Sequence, residues 1–152
     1  MVRVLQPGYA NIGKRLVKRP KIYLRDTGVF HSLMNIDNPD DLYRHPKLGA
    51  SWEGFALECV CQSIGKTNQE LYFWQVHGGS ELDLFWQHAG KNWGVEFKYA
   101  DAPRLSKAMT VVSEDLDLRR LWVIYPGKQI YRIAENITVF PLVEIPATWN
   151  YQ

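Results

Sequence analysis

Four residues in this 152-residue chain have the types and spacing for metal-assisted chemistry on phosphate: Asp83, Glu96, Lys98 and, further upstream, Glu53. Asp83 lies in Glu81-Leu82-Asp83-Leu84-Phe85-Trp86, and Glu96 and Lys98 in Trp93-Gly94-Val95-Glu96-Phe97-Lys98-Tyr99. Both segments are rich in aromatic and branched residues, which predicts two strands. The stretch His88-Ala89-Gly90-Lys91-Asn92 predicts the hairpin loop between them. Strand side chains alternate faces, so Glu96 and Lys98 share one side and Val95, Phe97 and Tyr99 the other. By the same alternation Asp83 points opposite to Leu82 and Leu84, toward the face of Glu96 and Lys98. Two carboxylates and an ammonium then share one patch of an otherwise apolar sheet.

That patch has two readings. In one it is a solvated face whose opposite charges pair across strands, at under about 1 kcal/mol per pair. In the other, Asp83 and Glu96 hold Mg²⁺ or Mn²⁺ through oxygen while Lys98 positions water or a phosphate. The acid-lysine pattern is short and does not decide between them.

The elements that must position these residues read as follows. Gly49 to Ile64 is the clearest helix, with Phe55, Ala56, Cys59, Val60 and Ile64 along its apolar stripe. Glu53 falls within that stripe and Glu58 outside it. A carboxylate aimed at a core needs a partner, which makes Glu53 the third acid of interest. Gly65 closes the helix. The following Lys66-Thr67 is not a phosphate loop, because position 60 is Val and the stretch ends a helix instead of opening one.

Leu71 to Val76 predicts a strand leading through His77-Gly78-Gly79-Ser80 into the hairpin. Arg104 to Leu116 predicts a helix with Leu105, Ala108, Met109, Val112 and Leu116 on one face. Strands follow at Leu121 to Tyr125, Gln129 to Ile133 and Thr138 to Val143. A crossover helix between the Lys98 and Leu121 strands makes that pair parallel, in a mixed α/β sheet flanked by helices. Upstream, Asp26 predicts the cap of a short helix, and Asn35 to Pro46 reads as a loop.

Residues 1–20 read as a basic leader, the end of a preceding segment, in which Val2-Arg3-Val4-Leu5 could form a short strand ended by Gln6-Pro7-Gly8. Residues 21–146 form the domain and 147–152 a loose tail. Lys14, Arg15, Lys18, Arg19 and Lys21 crowd together as a candidate nucleic-acid contact, or else as a solvated leader. The net charge of +2 gives no overall polyanion-binding character. No apolar run reaches a membrane span, and Cys59 and Cys61 read as reduced thiols, which suggests a cytoplasmic protein without membrane contact.

Helix glutamate, then Asp, then Glu-x-Lys, across α-β-β-β-α-β, resembles the PD-(D/E)XK restriction-endonuclease-like fold. Glu53, Asp83, Glu96 and Lys98 map onto it one by one. A second resemblance covers nearly the whole chain. Asn11-Ile12-Gly13-Lys14-Arg15-Leu16-Val17-Lys18, Lys21-Ile22-Tyr23-Leu24-Arg25-Asp26-Thr27-Gly28 and Leu48-Gly49-Ala50-Ser51-Trp52-Glu53-Gly54-Phe55 carry it, with Glu81-Leu82-Asp83 and Glu96-Phe97-Lys98. These are similar to the uncharacterised C-terminal domain of bacterial and archaeal AAA-type ATPases.

The resemblance implies a P-loop ATPase partner, because no such ATPase part is present in this chain. The PD-(D/E)XK resemblance, for its part, implies a metal site of Asp83 and Glu96, aided by the Phe97 carbonyl. Glu53 would take a second metal or orient water, and Lys98 would stabilise charge in phosphodiester hydrolysis. The alternative is an inactive module of the same fold that binds nucleic acid or protein through its basic run and exposed aromatics.

Overall fold

The computed structural model describes residues 1–8, 19–76, 79–145, 149 and 151. Eight strands form one mixed sheet: β1 (Val2–Pro7), β2 (Lys21–Leu24), β3 (Tyr72–Gln75), β4 (Glu81–His88), β5 (Lys91–Phe97), β6 (Leu118–Tyr125), β7 (Tyr131–Ala134) and β8 (Ile137–Pro141). Their order across the sheet is β2-β1-β3-β4-β5-β6-β8-β7. The helices are α1 (Thr27–Leu33), α2 (Pro39–Arg44), α3 (Leu48–Ile64) and α4 (Lys107–Asp115).

Local chemistry explains most boundaries. Asp26 accepts hydrogen bonds from the N–H groups of Gly28 and Val29 and starts α1. Gly65, at φ 68°, ends α3 in the left-handed conformation. Ser106 caps α4, so that helix begins later than the apolar spacing suggests, and Leu105 stays outside it, 47% exposed. The expected loop at Asn35 to Pro46 contains α2, because Asn38 caps it and Pro39 occupies its first turn. The β4–β5 hairpin is tighter than expected. Its loop is Ala89-Gly90 alone, at φ 50° and 71°, the positive pair that a two-residue turn requires.

Two apolar cores sandwich the sheet. On one face Ala56, Leu57 and Val60 of α3 meet Leu84, Trp86 and Val95. On the other, Met109 and Val112 of α4 meet Leu82, Leu121 and Val123. The β5–β6 pair bridged by α4 is parallel, as the crossover predicts.

Three further expectations change. Val2–Pro7 lies inside the sheet between β2 and β3, with Leu5 fully buried, so the sheet begins within the stretch read as leader. At the other end Trp149 is 6% exposed, hydrogen-bonds to the Ser63 carbonyl and packs on Trp122, while Tyr151 stacks on His88. That part of the 147–152 tail is docked, because its aromatic rings find apolar surface. On α3, Phe55 faces solvent and Glu58 is buried, the reverse of the expected stripe. Arg3 and Arg25 both pair with Glu58 and offset the cost of burying it.

Candidate acid-lysine site

At one end of the sheet, β2 supplies Lys21 and Tyr23, β4 opens with Glu81 and Asp83, and Glu96 and Lys98 lie at the end of β5. Glu53 reaches the same region from α3. Antiparallel pairing of β4 with β5 puts the start of one beside the end of the other, so hairpin geometry alone brings Asp83 to Glu96.

The face of Asp83 is set by an irregularity. Leu82 packs in the α4-side core and Leu84 in the α3-side core, so alternation breaks between them. The β3–β4 register shifts at this point: Tyr72 pairs with Phe85 but Trp74 with Leu82. One extra residue in β4 is a bulge, which re-aims a side chain. The expectation that Leu82 and Leu84 share a face is therefore corrected. Gly94 in β5 makes room for the change, since a Cβ there would lie 2.9 Å from Leu82 Cδ2.

The contacts form three neighbouring groups. The Phe97 N–H donates to Asp83 Oδ2 at 2.9 Å. Lys21 Nζ lies 3.4 Å from Asp83 Oδ1 and also pairs with Glu81. Gln75 donates to Glu81 Oε2 at 2.9 Å. Lys98 Nζ is 2.5 Å from Glu96 Oε1. The Tyr23 hydroxyl donates to Glu53 Oε1 at 3.0 Å. Four carboxylates thus face two ammonium groups, a formal excess of two negative charges.

Burial and mutual repulsion govern the ionisation of these groups. Burial raises the Asp83 pKa, with Lys21 and the Phe97 N–H opposing it. Burial, then the nearby Asp83 charge, pushes Glu96 up to about 7. Glu53 is raised by burial and again by Asp83. Burial works against both ammonium groups, yet the acids outweigh it. Asp83 and Glu81 raise the Lys21 pKa, and Glu96 and Asp83 raise that of Lys98.

The structure therefore brings Asp83, Glu96 and Lys98 together, and Glu53 close enough to sense the Asp83 charge. Among the described residues no group of three or more His, Cys, Asp or Glu side chains is arranged to hold a metal ion. The donor set that would suit Mg²⁺ or Mn²⁺ is the pair Asp83 and Glu96, two hard carboxylates, the first buried and the second half-buried. Mg²⁺ commonly uses one or two carboxylates and completes its shell with water and substrate oxygens.

In the basic run, read either as a nucleic-acid contact or as a solvated leader, Lys21 has its ammonium engaged by Asp83 and Glu81. Arg19 is exposed, and Lys14, Arg15 and Lys18 lie outside the described residues, as does His77. Sequence reasoning missed Tyr23, Glu81 and the inward role of Lys21. The i, i+2 spacing of Lys21 and Tyr23 in an extended segment, which puts both on one face, was the available signal.

Residues 48–145 match the family described as "Domain of unknown function (DUF4143)", and residues 1–40 match a second domain of unknown function, DUF8612. An uncharacterised protein of Mycobacterium tuberculosis and one of Mycobacterium bovis are each 41% identical to the chain over 148 residues. Those alignments cover 97% of this chain and 33% of each relative, so the chain spans about a third of the length of the curated relatives it matches. No solved structure matches.

Proposed function

The chain belongs to the DUF4143 family of domains, and from its acid-lysine site we propose that it is a divalent-metal-dependent phosphodiesterase acting on nucleic acid. The observation that carries this reading is the placement of a buried Asp83 and a half-buried Glu96 on paired strands, where the Asp83 charge adds to burial in raising the Glu96 pKa, with Lys98 on Glu96. Such strain is characteristic of sites built to receive positive charge. The arrangement resembles the PD-(D/E)XK pattern, with Glu53 as the helix acid.

Asp83 and Glu96 would hold Mg²⁺ or Mn²⁺, which when bound neutralises phosphate charge and acidifies water. The chain's own groups do the rest. Lys98, kept protonated by Glu96 and Asp83, stabilises negative charge developing on the phosphoryl oxygens. It is an electrostatic group and not a base. Glu53, raised by burial and held by the Tyr23 hydroxyl, orients the attacking water and accepts its proton. Water adds to phosphorus, one P–O ester bond breaks, and the leaving oxygen takes up a proton from solvent. The rest of the longer relatives leaves room for further domains, and a P-loop ATPase part is the partner that the family resemblance suggests.

One observation favours a second reading. Lys21 already pairs with both Asp83 and Glu81, and Lys98 with Glu96. A site paired in this way also suits an inactive module that binds nucleic acid or protein. Incubation with single- and double-stranded DNA and RNA plus Mn²⁺ separates the two. The hydrolytic reading requires cleavage that Asp83→Ala and Lys98→Met abolish. Cleavage equal in parent and variants, or none in any, refutes it.

A further inference from the structure

Beside the acid-lysine site lie two neighbouring hollows. The smaller, ≈ 340 Å³, is lined in part by Tyr23 and Glu53 and shares Thr27 and Ser51 with the larger, ≈ 550 Å³. The larger carries four aromatic side chains, Tyr43, Trp52, Phe55 and Tyr99. Two of them are chain neighbours of proposed site residues: Trp52 precedes Glu53, and Tyr99 follows Lys98. Their rings pack at 5.8 Å between centroids, tilted by 54°. Tyr43, Phe55 and Tyr99 are 69%, 48% and 45% exposed, a large apolar area to leave in water.

The chemistry of the lining selects its occupant. Asp37 is the one Asp, Glu, Lys or Arg among the described lining residues, so nothing there attracts a phosphate. Most of the polar groups are spent internally: His31 Nε2 lies 2.7 Å from Ser51 Oγ, and Asn38 caps α2. What remains is apolar, with Ile36, Leu42 and Leu48 among the four rings, and the ring faces favour a flat, neutral, polarisable group. Stacking of this kind tolerates any base, because every base has a π-face.

We propose that this aromatic trough binds unpaired nucleobases of a single-stranded nucleic acid whose backbone runs past Glu53 toward Asp83 and Glu96. The proposal deepens the phosphodiesterase reading by naming its substrate class, and it rests on that reading for the direction of the strand. Bases in a duplex are already stacked and paired, so a duplex presents none to the trough.

The test uses the full chain in metal-free buffer and fluorescence anisotropy. The probes are labelled oligo(dT), oligo(U), an abasic oligomer of equal length and a duplex. Oligo(dT) is expected to bind more tightly than the abasic strand and the duplex, and the oligo(U) arm tells RNA from DNA. Tyr99→Ala and Phe55→Ala truncate exposed rings and leave both cores intact, whereas Trp52→Ala reaches further in. Each is expected to weaken oligo(dT) binding by between about fivefold and a hundredfold, with little effect on the abasic strand.

Equal binding of oligo(dT) and the abasic strand, unchanged binding in the Tyr99 and Phe55 variants, or no binding of any probe overturns the proposal. Capture of an apolar peptide in place of the oligonucleotide counts among the overturning results. An Asp83→Asn arm keeps the two readings apart. Base-dependent binding without any metal-dependent cleavage refutes the hydrolytic step and leaves the trough standing. Cleavage without base-dependent binding does the opposite.

Discussion

Asp83 is pinned to the strand that carries Glu96 and Lys98: its Oδ2 accepts the Phe97 N–H at 2.9 Å. The bulge in β4 turns the side chain, and this hydrogen bond holds it. Asp83 is 8% exposed and its carboxylate is disfavoured by burial, so its charge works against the fold. Asp83→Asn keeps an acceptor for Phe97 and removes the buried charge. We predict a stability within about 1 kcal/mol of the parent. Asp83→Ala leaves the Phe97 N–H without an acceptor and is predicted to lose about 1–3 kcal/mol. Urea denaturation of both variants in the absence of divalent ions checks the pair. An Asn variant as damaged as the Ala variant would show that the charge itself holds the fold.

Glu96 gives a pH test that needs no metal. Its folded pKa of about 7 lies above the ordinary 4.5. Between those values the folded chain holds a proton that the unfolded chain has lost, so this group makes stability fall as pH rises through the window. Glu96→Gln mimics the protonated form. The variant should match the parent below about pH 4.5 and exceed it by about 1–3 kcal/mol at pH 8. Melting temperatures across pH 4 to 8 report the difference. A gap that stays constant with pH would mean that Glu96 is not strained.

Glu58 behaves in the opposite way, far from chemistry. Burial alone would raise its pKa, but Arg3 and Arg25 outweigh burial and lower it. Its contribution is therefore present above the unfolded pKa near 4.5 and is lost as pH falls through the lower folded value. Arg3 and Glu58 side chains are 4% and 6% exposed. Breaking such a pair leaves a buried charge uncompensated, so Glu58→Gln should cost about 3–5 kcal/mol at pH 7. The Arg3→Met, Glu58→Leu double variant should cost much less, because it removes both charges. Equal losses in the single and double variants would contradict this account.

How much of this was legible in the sequence depended on the range of the interaction. The hairpin, α3 and the parallel β5–β6 pair follow from local patterns: alternation, a helical stripe closed by Gly65, and a crossover helix. Asp83, Glu96 and Lys98 were legible for the same reason, since a hairpin brings its own ends together. Contacts between distant segments were not. Lys21 reaches Glu81 and Asp83 from about 60 positions upstream, and Arg3 reaches Glu58 across 55, separations at which no periodicity signals a partner. The stripe rule placed Glu58 outside the core because it cannot register a salt bridge that offsets burial. The orientation of Leu82 and Leu84 failed at a bulge, a one-residue event invisible to alternation. The α2 helix was hidden for another reason: Asn38-Pro39 reads equally as a turn or as a cap followed by a first-turn proline.

The central claim is that Asp83 and Glu96 form one site for a divalent cation. Titration of the metal-free chain with Mn²⁺, followed by the loss of free-ion electron paramagnetic resonance signal, tests it most directly. We predict saturable binding that is lost in Asp83→Asn and in Glu96→Gln and retained in Glu58→Gln. Absence of saturable binding in the parent chain, or binding of equal strength in the Asp83 and Glu96 variants, would contradict it.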